Sequence, residues 1–173
     1  MLTLSPPERA QSASFFLGGF TWTAQFSAAG LRELNIVEGK ERSSAGRDVS
    51  DRMKKLRDAI EARVAGGREG LSWEDFDLSG RAPFHLRIWK EMFAIPFGET
   101  RSYAEVARAV GSPLAFRACG QACGANPILL FIPCHRVIGS AGLGGFGRGL
   151  DFKKRMLGWE GVDWKTLGKS SRT

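Results

Sequence analysis

Five consecutive large apolar residues, Ile128-Leu129-Leu130-Phe131-Ile132, run without a break into Pro133-Cys134-His135-Arg136. A run with no polar face reads as a buried strand or an extended core segment, so the remainder of the chain must supply the layers that cover it. Asn126-Pro127 precedes the run, and the restriction that proline places on the residue before it ends any helix arriving there. The covering layers come from 173 residues, room for one ordinary domain or two very small ones. With 43% hydrophobic and 25% charged residues, the chain can bury a real core and is not disordered throughout.

Elsewhere the pattern divides. Phe15 to Phe26 and Leu31 to Val37 are β-branched and aromatic runs separated by Ala28-Ala29-Gly30, which predicts a hairpin or small antiparallel sheet. Met53, Leu56, Ile60 and Val64 have helical spacing, so a surface helix is expected over 49–65, capped by Asp48 or Ser50 and closed by Gly66-Gly67. The glycine-rich polar stretch from Gly67 to Pro83 reads as a linker. Beyond it the periodicity is helical over 84–93, 103–110 and 114–124, with breaks at Pro96-Phe97-Gly98 and Gly111-Ser112-Pro113. Two short helices joined by a glycine-containing turn are a helix-turn-helix signature, though αα-hairpins that bind nothing share it. The expected fold is α+β: an N-terminal sheet-and-helix domain over 1–80, a mostly helical domain over 81–162 and a basic tail over 163–173.

Charge follows the same division. Residues 1–83 hold 12 basic and 12 acidic side chains, 84–161 hold 10 and 5, and 162–173 hold 3 and 1. A solvated basic surface would give a surplus too, but clustered Lys and Arg also bind polyanions through counterion release, so a nucleic-acid partner is the sharper expectation. No apolar run approaches the about 20 residues that span a bilayer, and MLTLSPPERA lacks the apolar stretch of a signal peptide. A cytoplasmic location, nuclear in a eukaryote, is therefore expected, with no membrane partner.

Three cysteines cannot all pair within one chain, and in a reducing compartment they stay thiols. Cys134 stands between proline, histidine and arginine, and adjacent cations favour a thiolate, which makes it a candidate nucleophile; a small buried hydrophobe is the plainer alternative. Zinc bound by Cys119, Cys123, Cys134 and His135 is a third reading, but a C-x3-C pair inside a helix rich in glycine and alanine is more often packing, so no metal site is expected. His85, beside Phe84, reads as a polar surface residue. In the 114–124 helix Ala115, Ala118, Gly120, Ala122 and Gly124 would let the backbone approach a partner closely or pack tightly in the core.

Taken together, Pro83-Phe84 with Trp89, Ile95 to Tyr103 (IPFGETRSY), Arg117, Asn126-Pro127, Ile132 to Ile138 (IPCHRVI) and Trp159-Glu160-Gly161 resemble the O6-alkylguanine-DNA alkyltransferases. The match covers about half the chain; the N-terminal half agrees only in layout, a small sheet and helix of ribonuclease H-like type. The resemblance implies single-turnover transfer of an alkyl group from guanine O6 to Cys134, with no cofactor. His135 would polarise the thiol through a water, Glu160 would orient His135 and Asn126 would pin the segment. Arg117 would fill the space left by a flipped nucleotide, Tyr103 would crowd its phosphate, and Ser112 and Ser140 would contact phosphates. Val137, Phe146 and Gly147 would line the base pocket, with Phe146 where the family usually has tyrosine. The implied partner is double-stranded DNA bearing O6-alkylguanine, entered through the minor groove by a monomer. A relative of the non-catalytic sensor type, which flips the base without chemistry, is the alternative; such relatives carry tryptophan at the cysteine position, unlike this chain.

Overall fold

The computed structural model describes residues 11–39 and 51–167. It is α+β: a three-stranded antiparallel sheet of β1 (Gln11–Leu17), β2 (Phe20–Phe26) and β3 (Leu31–Glu38), followed by helices that flank a short parallel pair. The stretch that reads as one run from Phe15 to Phe26 folds into two strands. Gly18 and Gly19 have φ of 62° and 85°, the left-handed pair that a two-residue hairpin turn needs to match strand twist. Along β2 the alternate residues Phe20, Trp22, Ala24 and Phe26 are buried. A bulge at Gln25/Phe26 shifts the register, so β3 buries Leu31, Leu34 and Ile36.

Helix α1 (Asp51–Val64) lays Leu56, Ala59 and Ile60 on the core, with Met53 and Val64 flanking them, as the spacing predicts. Its expected caps at 48 and 50 lie outside the described residues. The segment that reads as a linker is tied down along its length. Phe76 forms a bridge with Leu31, and buried Asp77 accepts from Ser27 at 2.5 Å and from Arg32 at 2.8 Å. The bond from Ser27, others from Ser79 and the Arg32 charge hold the Asp77 carboxyl well below the usual carboxylate range despite its burial.

Helix α2 (Pro83–Phe93) starts with proline in its first turn, where the missing N–H costs nothing, and buries Ile88, Trp89 and Met92. After the Pro96-Phe97-Gly98 turn come β4 (Arg101–Ser102) and α3 (Tyr103–Ala109). Ser102 caps α3 in reciprocal exchange with Glu105, receiving its N–H and donating to its carboxylate. A turn through Gly111 and Ser112 leads to α4 (Phe116–Gly124), which packs on α2 through a 2.8 Å bond from Trp89 Nε1 to Ala122 O.

The apolar run is buried as expected but is neither a strand nor extended: after Ile128, residues 129–131 form a turn closed by a 3.0 Å bond from Ile132 N to Ile128 O. Only Ile128 bridges β3, at Leu34, because Leu130 turns the chain with φ of 75°. A left-handed leucine costs about 1–3 kcal/mol and persists only where its surroundings impose it. The bonds from Leu34 N to Pro127 O (2.8 Å) and from Leu129 N to Leu34 O (3.2 Å) clamp the segment to the sheet. Beyond it β5 (Val137–Ile138) pairs with β4, and α5 (Leu150–Trp159) closes the sheet through edge contacts of Phe20 with Phe152 and Trp159. Among the described residues no helix is long and apolar enough to cross a membrane.

Candidate active site

The turn at Leu130 presents Cys134 on a single 3-10 turn, Cys134–Arg136. Asn126 closes the loop beneath it: its Nδ2 donates to Ile132 O at 2.7 Å and its Oδ1 accepts from Ile128 N at 3.0 Å. One side chain thus satisfies both ends of the apolar run. Cys134 forms part of the wall of a cavity of about 510 Å³, which Tyr103, Phe116, Asn126, Phe146 and Gly147 also line. The β4–β5 pairing explains why Tyr103 is there, since Arg101 pairs with Val137 and Ser102 with Ile138. Two segments more than 30 residues apart are locked side by side.

Next to the thiol, His135 is fully buried and its Nε2 lies 2.8 Å from Glu160 Oε1. Burial alone would raise the Glu160 carboxyl, but hydrogen bonds from His135 and Arg136 and their charges outweigh it and bring it down to about 2. An ionised carboxylate only accepts, so Nε2 carries the proton and Nδ1 holds the lone pair. Nδ1 is buried and has no hydrogen-bond partner in the protein, which leaves it available as a base. Burial also lowers the His135 pKa, against the pull of Glu160, so the ring stays neutral.

Arg136 holds the carboxylate from the other side. Its Nε and Nη2 each donate to Glu160 at 2.8 Å, and Nη1 donates to Ile95 O at 2.5 Å. Gly98 N adds a 3.3 Å bond to Oε2, which ties the carboxylate to the turn before β4.

The electrostatics of Cys134 differ from the expectation that its flanking cations favour a thiolate. Burial pushes the thiol up, because a charge has no water to solvate it there. Arg136 is spent on Glu160, and His135 is neutral. What opposes the rise is a hydrogen bond from Asn126 and, among cations, Lys153 of α5. Lys153 is fully buried, donates 2.6 Å bonds to Val137 O and Leu143 O, and lies 5.8 Å from the centre of the Phe146 ring. Burial brings its pKa down to about 8, against the pull of Cys134 and Cys123.

Of the remaining residues singled out in the sequence, Phe146 and Gly147 line the cavity, whereas Val137 is fully buried and offers its carbonyl to Lys153. Tyr103 donates to Gly145 O at 3.2 Å; burial pushes its hydroxyl up to about 12. Arg117 is exposed at the start of α4, Ser112 is half-buried in the turn before it, and Ser140 is exposed after β5. Cys119 packs in the core, while Cys123 reaches the cavity wall and sits 3.4 Å from the Met92 sulfur. Among the described residues no group of three or more His, Cys, Asp or Glu side chains is placed to hold a metal ion. His85 is half-buried, its ring 5.5 Å from that of Trp89.

Sequence reasoning passed over Lys153 and Phe116. A signal for Lys153 existed: with Met156 and Leu157 it occupies the i, i+3, i+4 positions of one buried face, a place where lysine needs partners.

Residues 83–162 match the model of the 6-O-methylguanine DNA methyltransferase DNA-binding domain. A methylated-DNA–protein-cysteine methyltransferase of Methanosarcina barkeri is 43% identical over 136 residues, which cover 74% of this chain and 82% of that protein. The chain belongs to the methylated-DNA–protein-cysteine methyltransferase family. Among methyltransferases of known structure, Mycobacterium tuberculosis OGT solved in complex with DNA superposes with a TM-score of 0.72 at 36% identity, covering 85% of this chain and 90% of that one. Other members align over less of their length. The matched segment spans 57% of a probable mimivirus methyltransferase and 52% of one from Mycolicibacterium paratuberculosis, at 49% and 51% identity. Both of these alignments cover 50% of this chain.

Proposed function

We propose that this protein repairs O6-alkylguanine in double-stranded DNA by moving the alkyl group to Cys134, once and irreversibly. Sγ attacks the carbon on O6 in line, the S–C bond forms as the C–O6 bond breaks, and the electron pair leaves on guanine. The thiol proton passes through a water to His135 Nδ1, and guanine takes up a proton as it departs. The product thioether has no easy leaving group, so the protein is consumed. The alkyl group comes from the DNA and ends on the protein, so the balance needs no cofactor.

The observation that carries this reading is a thiol on a cavity wall whose neighbour in the chain is a buried imidazole, with Nε2 held by an ionised carboxylate and Nδ1 unpartnered. That arrangement removes a thiol proton on demand, which a buried cysteine requires. Duplex DNA as partner is supported by the surplus of basic over acidic residues in 84–161 and by the DNA-bound state of the mycobacterial relative. Guanine O6 is hidden in the stack, so the nucleotide must rotate out at a cost of a few kcal/mol. Arg117, exposed on α4, fills the gap; Tyr103 crowds the flipped nucleotide's phosphate, and Ser112 and Ser140 contact neighbouring ones. In this reading α4 enters the minor groove as part of a monomer, with its small residues facing the narrow walls.

Mixing the protein with an O6-methylguanine duplex and weighing the Cys134 peptide tests the proposal. One methyl per protein, absent in Cys134→Ser while DNA binding persists, is the expected result. Binding to the lesion without any methyl on Cys134 would make the protein a sensor and overturn the transfer.

A further inference from the structure

Helix α4 presents two different faces. Cys119 and Ala122 are fully buried in the core, which fixes the helix's rotation. Phe116, Gly120, Cys123 and Gly124, at i, i+4, i+7 and i+8, form one stripe, and all four line the cavity that contains Cys134. A Cβ added to Gly120 or Gly124 would meet nothing within 4 Å, so internal packing does not require glycine at either position. The stripe is bare helix backbone facing open space, with one large ring at its N-terminal end.

That ring is 47% exposed. Single exposed apolar side chains are ordinary, and Leu114, at 89%, is one that does not line the cavity. Phe116 differs because the space it faces is the cavity that contains Cys134. The Arg117 guanidinium stands 5.8 Å from its ring centre, a cation–aromatic contact between neighbours that steadies the ring. A second ring, Phe146, lines the same cavity from the loop before α5.

We propose that Phe116 is a specificity-determining wall of the base pocket, stacking on the flipped purine and setting how tightly the alkylated base is held before transfer. The inference rests on the function proposed above and names a residue outside the nucleophile, base and orienter set. A flat aromatic heterocycle is what such a cavity accommodates: bare backbone along one side, phenyl rings from two elements, and a thiol within the wall. Stacking tolerates changes at the ring edge, so Phe116 would hold the purine through its face whatever alkyl group O6 carries.

The test is single-turnover alkylation of Cys134 at varied substrate concentration, using the free base O6-benzylguanine and, separately, an O6-methylguanine duplex. In Phe116→Ala the half-saturating concentration of the free base should rise about tenfold, the scale set by base–aromatic stacking. The limiting rate should not change, Phe116→Trp should restore binding, and the duplex reaction should weaken in parallel. Melting temperatures of the variants should match wild type, since the ring is half in water. Unchanged free-base saturation in a folded Ala variant overturns the proposal, as does a fall in limiting rate alone. A loss confined to the duplex would make Phe116 a wedge in the DNA stack and also overturns it. If wild type leaves Cys134 unalkylated by either substrate, the proposed transfer itself fails, a result distinct from an inert Phe116.

Discussion

At the residue scale the site is a set of groups whose burial would be costly singly and is stabilising together. Glu160 is the hub, accepting from His135, Arg136 and Gly98. Glu160→Gln replaces an obligate acceptor with a group that also donates, so His135 loses its fixed tautomer. Alkyl transfer should slow by about 10²–10⁴-fold, the usual contribution of general acid–base catalysis, measured as the single-turnover rate at saturating duplex. Lys153 acts on the thiol from a different direction. Lys153→Met removes the cation whose charge lowers the Cys134 pKa and leaves two buried carbonyls without their donor. Cys134 should titrate still higher, read as slower iodoacetamide alkylation at a given pH. Stability should fall by about 2–4 kcal/mol, from two charge-assisted bonds less the gain in apolar contact.

The same groups set the acid limit. The folded protein holds His135 below its ordinary pKa, so the unfolded chain binds more protons below about pH 6.5 and stability falls as the pH drops through that range. Glu160, at about 2 when folded, adds a second loss between about pH 4.5 and 2 as its native ion pair is protonated. Melting temperatures recorded from pH 8 downward should decline in these two steps, and the lower step should be smaller in Glu160→Gln, with Asp77 supplying much of what remains.

At the element scale, α4 shows where periodicity is informative and where it stops. Its length and its breaks at Ser112-Pro113 and Asn126-Pro127 are legible in the sequence, because helix termination is a local backbone matter. Which of its small residues pack and which face open space is not legible, because that depends on the helix's rotation against α2 and the apolar run. Gly120 makes the distinction testable. With nothing within 4 Å of the added methyl, Gly120→Ala should stabilise the helix by about 0.5–1 kcal/mol, a rise of a few degrees in melting temperature. The methyl also enters the cavity, so transfer from the duplex should slow while the protein melts later. The β1–β2 hairpin carries the opposite lesson. Gly18-Gly19 makes the turn, yet the aromatic run on both sides of it reads as one strand until the pairing is seen.

At the scale of the whole molecule, the neutral balance of residues 1–83 and the basic surplus of 84–161 correspond to a sheet with α1 and to the helices carrying the cavity. If the five surplus charges of the second segment each meet a phosphate, counterion release predicts a duplex affinity that falls by about 10²–10³-fold between 50 and 200 mM salt. Fluorescence anisotropy with unmodified duplex measures this, and a flat salt response would remove the electrostatic account of binding. Arg148 joins the two parts of the molecule, donating to Asn35 at 2.5 Å and Ile36 O at 3.1 Å from the cavity loop. The sheet thereby steadies the loop that carries Phe146.

By itself the sequence determined the burial of the run that carries Cys134, the helix positions and the charge division. An unbroken apolar run must be buried wherever it lies, helical spacing acts within a few residues, and net charge needs no coordinates. Only the tertiary structure decided that Arg136 serves Glu160 and not the thiol, that Lys153 is the cation near Cys134, and that Phe116 shares its cavity. These pairings join residues up to 24 positions apart in the chain, and their energies depend on burial that no local pattern encodes.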